Sequence, residues 1–211
     1  FVHVDGPVSQ VELSVFGENG SRLGSAAVGK MDTSPIELTW SQPDEKVLRL
    51  SVKATTSIGL SATLDLFPWA YQIPHKDVIF PSGSSVIPPQ EVYKLRDVWE
   101  NIEAVMRRFN RENVGFDVPM ALYLAGFTDT VGDRMQNQQL SEARAKSLGT
   151  WFLNRGFRGP IHYQGFGENG LSVQTEDNVN EPANRRAMFI IAADTPKESA
   201  LLPASNWKRL R

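Results

Sequence analysis

The sequence has no cysteine, three histidines, no excess of positive charge and no long apolar run among its 211 residues. The absence of cysteine excludes disulfides, thiolate metal sites and cysteine nucleophiles. A formal net charge of -2 argues against a dedicated nucleic-acid binder, because phosphate neutralisation needs clustered Lys and Arg. No stretch approaches the ~20 apolar residues of a membrane-spanning helix, and residues 1–4 lack the features of a signal peptide.

The remaining composition is typical of a folded protein. Apolar residues make up 41% and charged residues 22% of the chain, a balance that does not suggest disorder. A length of 211 residues predicts one medium domain and one small domain. Since the sequence does not begin with Met, we interpret it as a processed protein or a fragment, and leave open what precedes Phe1.

Apolar and polar residues alternate in four short runs between residues 8 and 67. A period of two predicts β-strands, and the spacing of the runs favours an antiparallel β-sandwich of immunoglobulin-like type over a parallel sheet. This region has no cluster of carboxylates, histidines or glycines, so its predicted role is structural. The alternating apolar residues are Val11, Leu13 and Val15; Ile36, Leu38 and Trp40; Val47, Leu48, Leu50 and Val52; and Leu60, Ala62, Leu64 and Leu66.

Two segments are predicted to lie outside the domains. Residues 68–78 contain two prolines and no clear period, which indicates a linker. Residues 195–211 end in a basic stretch and are predicted to form a tail. The predicted domains are therefore a small β-sandwich at residues 1–67 and a larger domain at residues 79–194, which makes the chain an α+β protein.

The larger domain begins with an amphipathic helix, because apolar residues recur at steps of three and four from Val92 to Phe109. A second helix is predicted to begin after Asp133, which has the capping-box spacing, and to end before Gly156. Short apolar runs predict three strands, so we expect an α/β sandwich with helices on one face of a mixed sheet. The predicted strands are residues 118–125, 161–165 and 186–193.

Arg144 occupies an unusual position in the second helix. It lies four residues after Leu140 and four before Leu148, so its side chain leaves from the edge of the apolar stripe. A half-buried guanidinium is costly unless an anion meets it. Arg144 therefore needs a carboxylate, supplied either by the protein or by a ligand.

Four blocks of the larger domain follow a known pattern. Residues 126–132 read G-x-T-D-x-x-G, and residues 137–145 read N-x-x-L-S-x-x-R-A. Residues 165–168 read G-x-G-E, and residues 184–186 read N-R-R. In order and spacing these blocks resemble the OmpA-like, or OmpA C-terminal, peptidoglycan-binding family. Phe127 stands where that family more often has histidine.

The resemblance implies a β-α-β-α-β-β fold and a groove that holds the diaminopimelate of the peptidoglycan stem peptide without covalent chemistry. By position, Asp129 takes the family's aspartate role and Arg144 its arginine role. Diaminopimelate presents an ammonium and a carboxylate at one end, which suit an acceptor-only carboxylate and a planar guanidinium. The candidate ligand-binding residues are Asp129, Arg144, Thr128, Gly83, Ser84, Asn137, Leu140 and Arg185, with no catalytic residue, metal or cofactor.

The resemblance also implies a place in the cell. We expect the chain to tether an envelope protein to the wall in the periplasm of a Gram-negative bacterium, with an outer-membrane anchor left open. The alternative is a wall-targeting part of a peptidoglycan-processing or adhesion protein, whose β-sandwich binds another envelope protein. A homodimer also stays open.

Two enzymatic interpretations have less support. Residues 165–170 match G-x-G-x-x-G, but a dinucleotide site needs this motif to open a helix, and no helical period follows. For a wall hydrolase, the three histidines stand in unrelated contexts and neither H-E-x-x-H nor G-x-S-x-G occurs. The sequence therefore predicts a binding protein and no enzyme.

Overall fold

The computed structural model of the chain describes residues 1–32, 34–41 and 44–210. By their internal contacts the residues divide into two units. The first comprises Phe1–Trp69 with Arg107–Val118, and the second comprises Ala70–Met106 with Pro119–Arg211. No helix of the described residues is long and apolar enough to cross a bilayer.

The first unit contains an antiparallel sheet. Its strands are β1 (Val8–Gly17), β2 (Arg22–Val28), β3 (Val47–Thr56) and β4 (Ser61–Leu66). They lie in the order β2-β1-β3-β4, and every neighbouring pair is antiparallel. On β1 the alternating side chains of Val11, Leu13 and Val15 are buried. The antiparallel β structure predicted for residues 1–67 is thereby confirmed.

This sheet differs from the expected sandwich in two places. The predicted strand at Ile36 to Trp40 does not form, and only Ile36 is joined to other backbone, by reciprocal hydrogen bonds of 2.8 Å with Val2. Alternation indicates which side of a segment is buried, but it does not supply a strand to pair with. Strand β2 is missed because its centre, residues 24–27, is Gly-Ser-Ala-Ala and carries no large apolar side chain. The described residues of this unit thus form one four-stranded sheet, where two facing sheets were expected.

The second unit contains a mixed sheet. Its strands are β5 (Ala70–Gln72), β6 (Ala121–Phe127), β7 (Ile161–Gly167), β8 (Ala187–Ala192) and β9 (Lys208–Arg209). They lie in the order β5-β8-β6-β7-β9, in which β6 and β7 are parallel and the other pairs antiparallel. The uniformly apolar β8 has a neighbour on each side, as its sequence predicts.

The two long α-helices of the described residues follow their predicted signals, and a third, short helix was not predicted. They are α1 (Val92–Arg108), α2 (Arg111–Val114) and α3 (Arg134–Arg155). At the start of α3 the Asp133 carboxylate accepts a 2.9 Å hydrogen bond from the Gln136 N–H, and the helix ends at Gly156 with φ 111°. These are the cap and the left-handed terminator that the spacing predicts. With α3 packed on β6 and β7 of the mixed sheet, and an antiparallel sheet in the first unit, the predicted α+β fold is confirmed.

Both segments expected outside the domains contribute strands to the second sheet. β5 falls within residues 68–78 and β9 within residues 195–211, of which Arg211 lies outside the described residues. The Trp207 ring packs against Tyr123 with 5.2 Å between ring centroids. Leu124 lies beside α3, and side chains alternate along a strand, so Tyr123 and Trp207 are on the sheet face turned away from that helix. The C-terminal segment therefore covers the second face of the sheet.

Two glycines bring α3 unusually close to the strands. A Cβ on Gly126 would lie 2.3 Å from the Ser141 carbonyl oxygen, and a Cβ on Gly165 would lie 2.2 Å from the Glu142 amide nitrogen. In the gap left by these glycines, the buried Ser141 hydroxyl accepts a 2.9 Å hydrogen bond from the Gly167 N–H. The glycines of two sequence blocks are therefore required by helix–strand packing.

We expect Gly165→Ala to destabilise the second unit by about 1 to 3 kcal/mol, because the new methyl group meets helix backbone that has no free space to move into. Gly29→Ala is the control, since its Cβ would meet nothing within 4 Å. The measurement is the free energy of unfolding by denaturant titration. Equal stability of the two variants would contradict the close-packing account.

Candidate functional site

A buried polar segment follows β6, where the chain leaves the sheet. Thr128, Asp129 and Thr130 are 2%, 7% and 6% exposed. The Thr128 N–H donates to the Gly167 carbonyl at 2.8 Å, whereas the buried Thr128 hydroxyl has no partner among the described residues. The Thr130 hydroxyl donates to the Glu176 carbonyl at 2.8 Å. Burial of three consecutive polar side chains at a strand end is unusual for a purely structural loop.

Asp129 forms an ion pair with Arg185. Its Oδ2 accepts a 2.6 Å hydrogen bond from Arg185 Nη1, and its Oδ1 accepts only a long bond of 3.4 Å from the Val131 N–H. Arg185 also donates to the Asn180 side chain. The Asn137 side-chain amide stabilises the loop, because it donates to the Val131 carbonyl at 3.0 Å and to Glu168 Oε1 at 2.8 Å. The Asp129 carboxylate is thus held in place with one oxygen weakly engaged.

Arg144 is buried without a carboxylate partner. Its Nε donates to the Ser84 carbonyl at 2.9 Å, its Nη2 donates to the Pro81 carbonyl at 3.2 Å, and its guanidinium carbon lies 5.1 Å from the Phe80 ring centroid. Burial lowers the pKa of Arg144 from its ordinary value, as does the charge of Arg185, while the charge of Asp129 raises it. The group remains a cation at neutral pH. Within the described ranges no carboxylate forms an ion pair with it.

A pocket of about 220 Å³ opens beside these residues. Three guanidinium groups line it, from Arg144, Arg185 and Arg186, against one carboxylate, from Asp77. This excess of positive charge favours an anionic group on a ligand. Carboxylates and phosphates are the common biological anions whose geometry matches the planar guanidinium of Arg. Its aromatic and aliphatic lining comes from Val78, Ile79, Phe80, Phe127, Leu148, Pro182 and Ala187.

The sequence model of the OmpA family matches residues 79–185, just over half of the chain. The chain belongs to the OmpA family. OmpA-like domains generally bind peptidoglycan, tether envelope proteins and are associated with the cell envelope. No curated protein sequence matches the chain significantly.

Two solved structures show limited similarity to this OmpA-family chain. The OmpA-like domain of FopA1 from Francisella tularensis subsp. tularensis SCHU S4 aligns with a TM-score of 0.41 and 15% identity over 78% of this chain and 79% of that one. A putative MotB like protein from Desulfovibrio vulgaris aligns with a TM-score of 0.38 and 21% identity over 58% of this chain and 72% of that one. At these scores neither similarity bears on function.

The structure gathers part of the predicted site of this OmpA-family chain around the pocket. Arg144 and Arg185 line it, Asp129 bonds Arg185, and the Ser84 carbonyl bonds Arg144. The remaining predicted residues have other positions. Thr128 is buried in the loop after β6 and Asn137 is buried in α3, whereas Gly83 is exposed with φ 65° and Leu140 does not line the pocket.

The pocket-lining residues outside the predicted set include Asp77, Phe127 and Arg186. Asp77 follows the first strand of the sheet, and no local pattern distinguishes it from a solvated carboxylate. Arg186 belongs to the N-R-R block, and its guanidinium carbon lies 3.9 Å from the ring centroid of Phe127. The Phe127 ring therefore replaces the family's more common histidine with a face that attracts a cation. The sequence signals for Arg186 and Phe127 are the N-R-R block and the replacement of the family's more common histidine by phenylalanine at residue 127.

The G-x-G-x-x-G match lacks the helix that a dinucleotide site needs. After β7 the described chain forms turns and coil until the single turn at Pro182–Asn184. Asn184 is fully buried and donates to and accepts from the Val173 backbone at 2.8 and 2.9 Å. Asn184 therefore joins this loop to the start of the N-R-R block. The described residues of the loop present no helix N-terminus to a phosphate.

His75 lies beside the pocket-lining residue Asp77, with Nε2 3.5 Å from Asp77 Oδ1. Its side chain is 8% exposed, with Nδ1 2.8 Å from the Ile73 carbonyl and Nε2 3.0 Å from the Ala187 carbonyl. Both neighbours are acceptors, so only the doubly protonated ring satisfies both. Burial alone lowers the pKa of His75, but the hydrogen bond and charge of Asp77 and the two carbonyls outweigh it and raise the pKa above 6.5. Asp77 in turn lines the pocket.

We expect His75→Gln to be most destabilising at acidic pH. A raised folded-state pKa means that the stabilisation is fully present below 6.5 and is lost as pH rises through the higher folded value. The measurement is the difference in free energy of unfolding between wild type and variant, from about pH 5 to pH 8.

His162 provides the matched control, because burial and the charge of Arg209 lower its pKa. Protonation of His162 therefore opposes folding, and the wild type loses stability relative to His162→Gln as pH falls below 6.5. The two variants should show opposite trends with pH. A His75→Gln difference that stays constant with pH would refute the charged state assigned to His75.

Proposed function

We propose that the chain binds peptidoglycan non-covalently, by holding the diaminopimelate of the stem peptide between Asp129 and Arg144. Family membership supports the wall as ligand, because OmpA-like domains generally bind peptidoglycan. The observation that carries the choice of residues is the buried Arg144 guanidinium, which lines the pocket and has no ion-pair partner in the described part of the chain. A ligand carboxylate would complete its coordination.

The donors of Arg144 are suited to a second, ligand-derived partner. A guanidinium has five N–H groups, and the Ser84 and Pro81 carbonyls accept from only two of them, on Nε and Nη2. The Nη1 side is left for a carboxylate, which can accept two parallel hydrogen bonds from the guanidinium plane. The carbonyl anchors and the Phe80 ring restrict the rotamers of Arg144, so little side-chain entropy is lost on binding.

Asp129 is suited to the ammonium of the same ligand end. A carboxylate offers about four lone-pair sites, of which Arg185 takes one on Oδ2 and the long bond from Val131 takes one on Oδ1. An ammonium can donate to Oδ1 without displacing Arg185. In this proposal Arg185 positions Asp129 and adds positive charge beside the ligand carboxylate, and no bond is made or broken.

The biological role we propose is a tether in the periplasm of a Gram-negative bacterium, with the second unit on the wall. The first unit would then bind a further envelope protein or a second copy of the chain. A free diaminopimelate carboxylate is required, since amidation would remove the charge that Arg144 recognises.

We expect Asp129→Ala and Arg144→Ala each to release the chain from insoluble sacculi, with a loss of about 2 to 5 kcal/mol of binding free energy, because each leaves its ligand partner charge unpaired. The measurement is the bound fraction after sedimentation of purified sacculi over a range of sacculus concentrations.

Arg158→Ala is the matched control, since Arg158 is an exposed arginine of the same unit outside the pocket lining. Circular dichroism melts establish that each variant is folded. Arg144→Lys keeps the charge but not the planar fork, so it should bind more weakly than wild type. If folded Asp129→Ala and Arg144→Ala both cosediment like Arg158→Ala, these residues do not form the site.

A further inference from the structure

Strand β4 is an edge strand whose apolar side chains are exposed. It lies at one end of the order β2-β1-β3-β4, and all six of its residues are exposed. Leu64 is 59% and Leu66 42% exposed, and Leu60, just before the strand, is 66% exposed. These leucines share one side of the sheet with Ala62, because side chains alternate along a strand. They form an exposed apolar stripe, of which Ala62, Leu64 and Leu66 line a pocket shared with residues 1–4, Leu38 and Trp40.

The open backbone groups of β4 can be assigned residue by residue. The Thr56 N–H donates to the Leu60 carbonyl at 2.8 Å, and the register continues with Ser61 opposite Thr55. Bonded and non-bonded pairs alternate in an antiparallel ladder, so the backbone groups of Ala62, Leu64 and Leu66 point toward β3. Those of Ser61, Thr63 and Asp65 point outward, where no described strand meets them.

This edge lacks the features that usually prevent strand addition. Edge strands are commonly blocked by lysine, proline or a β-bulge. Ser61–Leu66 contains neither lysine nor proline, and its pairing with β3 has no register shift. At the opposite edge, β2 pairs with β1 through a register shift at Val15 and Phe16. The β4 edge is therefore the one suited to receiving another strand.

We propose that β4 pairs antiparallel with β4 of a second copy of this chain, forming a continuous eight-stranded sheet across a two-fold axis. The outward groups of both strands must meet, so odd-numbered residues oppose odd-numbered residues. In the register that pairs Thr63 with Asp65, Leu64 meets Leu64 and Ala62 meets Leu66. A second register also places odd-numbered residues opposite each other. In it Ser61 pairs with Asp65, and Thr63 pairs with Thr63.

The strand is complementary to itself in both registers. Each Asp65 carboxylate faces a hydroxyl donor, from Thr63 or Ser61, and never the other Asp65, so no like charges oppose each other. Within each copy Arg49 Nη1 lies 3.7 Å from Asp65 Oδ2 and offsets its charge. Exposed leucines gain apolar neighbours across the axis. A second copy of the chain therefore satisfies the backbone edge, the charge and the apolar stripe together.

Equilibrium sedimentation of the full chain over a wide range of concentrations tests the proposal. We expect a concentration-dependent rise to twice the mass of the chain, and slower hydrogen exchange of the Thr63 and Asp65 amides in the dimer than in the monomer. Thr63→Pro should abolish the dimer, because the lost N–H points outward and bonds nothing within the copy. Thr63→Val keeps that N–H and should still dimerise.

Leu64→Glu is a second variant, in case proline at residue 63 disturbs folding. It places like charges directly opposite each other in the first register and on diagonal neighbours in the second, at an exposed position, so the chain should stay folded and become monomeric. A wild type that is monomeric at every concentration would overturn the proposal. So would a dimer that persists in folded Thr63→Pro or Leu64→Glu. This outcome is distinct from wall binding, since the sacculus assay uses residues of the other unit.

Discussion

The close packing of α3 against β6 and β7 is the constraint on which the candidate site depends. At Gly126 and Gly165 the helix backbone approaches the strands so closely that no Cβ fits. Arg144 lies three residues after Ser141, and Asn137 four before it, so both are on the face of α3 that this contact presses onto the strand ends. A helix displaced by the width of a methyl group would carry Arg144 away from the Pro81 and Ser84 carbonyls.

Electrostatics within the pocket connects stability with function. Arg144, Arg185 and Arg186 line one small volume, and each is held differently: by loop carbonyls, by Asp129, or by the Gly170 carbonyl at 2.7 Å. Burial and the charge of Arg185 lower the pKa of Arg144, so both oppose keeping this cation in the folded chain. A bound carboxylate would relieve the repulsion from Arg185. Under the proposed function, the anion would thus offset an arrangement that is otherwise unfavourable, which is a common property of functional sites.

The parts of the fold that could be predicted are those encoded by neighbouring residues. Asp133 and Gly156 mark the ends of α3 because capping is local, and β8 is identifiable because a central strand is apolar at every position. The edge strands β5 and β9 could not be found, since three and two residues give no periodic signal. In the first unit, alternation at Ile36 to Trp40 indicated a buried side correctly but not the absence of a pairing strand.

In the candidate site, the family blocks pointed to Asp129 and Arg144, an assignment that stays a proposal, but the contacts between blocks could not be predicted. Arg185 reaches Asp129 across 56 residues, and only the path of the intervening loop decides that they meet. Asp77 lines the pocket because the segment that contains it is held against the start of β8, where His75 Nε2 lies 3.0 Å from the Ala187 carbonyl. This tertiary contact has no local sequence pattern. The sequence predicts that Arg144 needs an anion. Its observed partners are the Ser84 and Pro81 carbonyls, and an anion from the ligand stays a proposal.

Calorimetric titration with two soluble stem peptides tests the central claim most directly. One peptide carries diaminopimelate and the other carries lysine at the same position, which differs only in lacking the carboxylate that Arg144 is proposed to bind. We predict that the diaminopimelate peptide binds at least about tenfold more tightly, since a charge-assisted hydrogen bond contributes about 1.5 to 3 kcal/mol. Equal affinity for the two peptides would contradict the account.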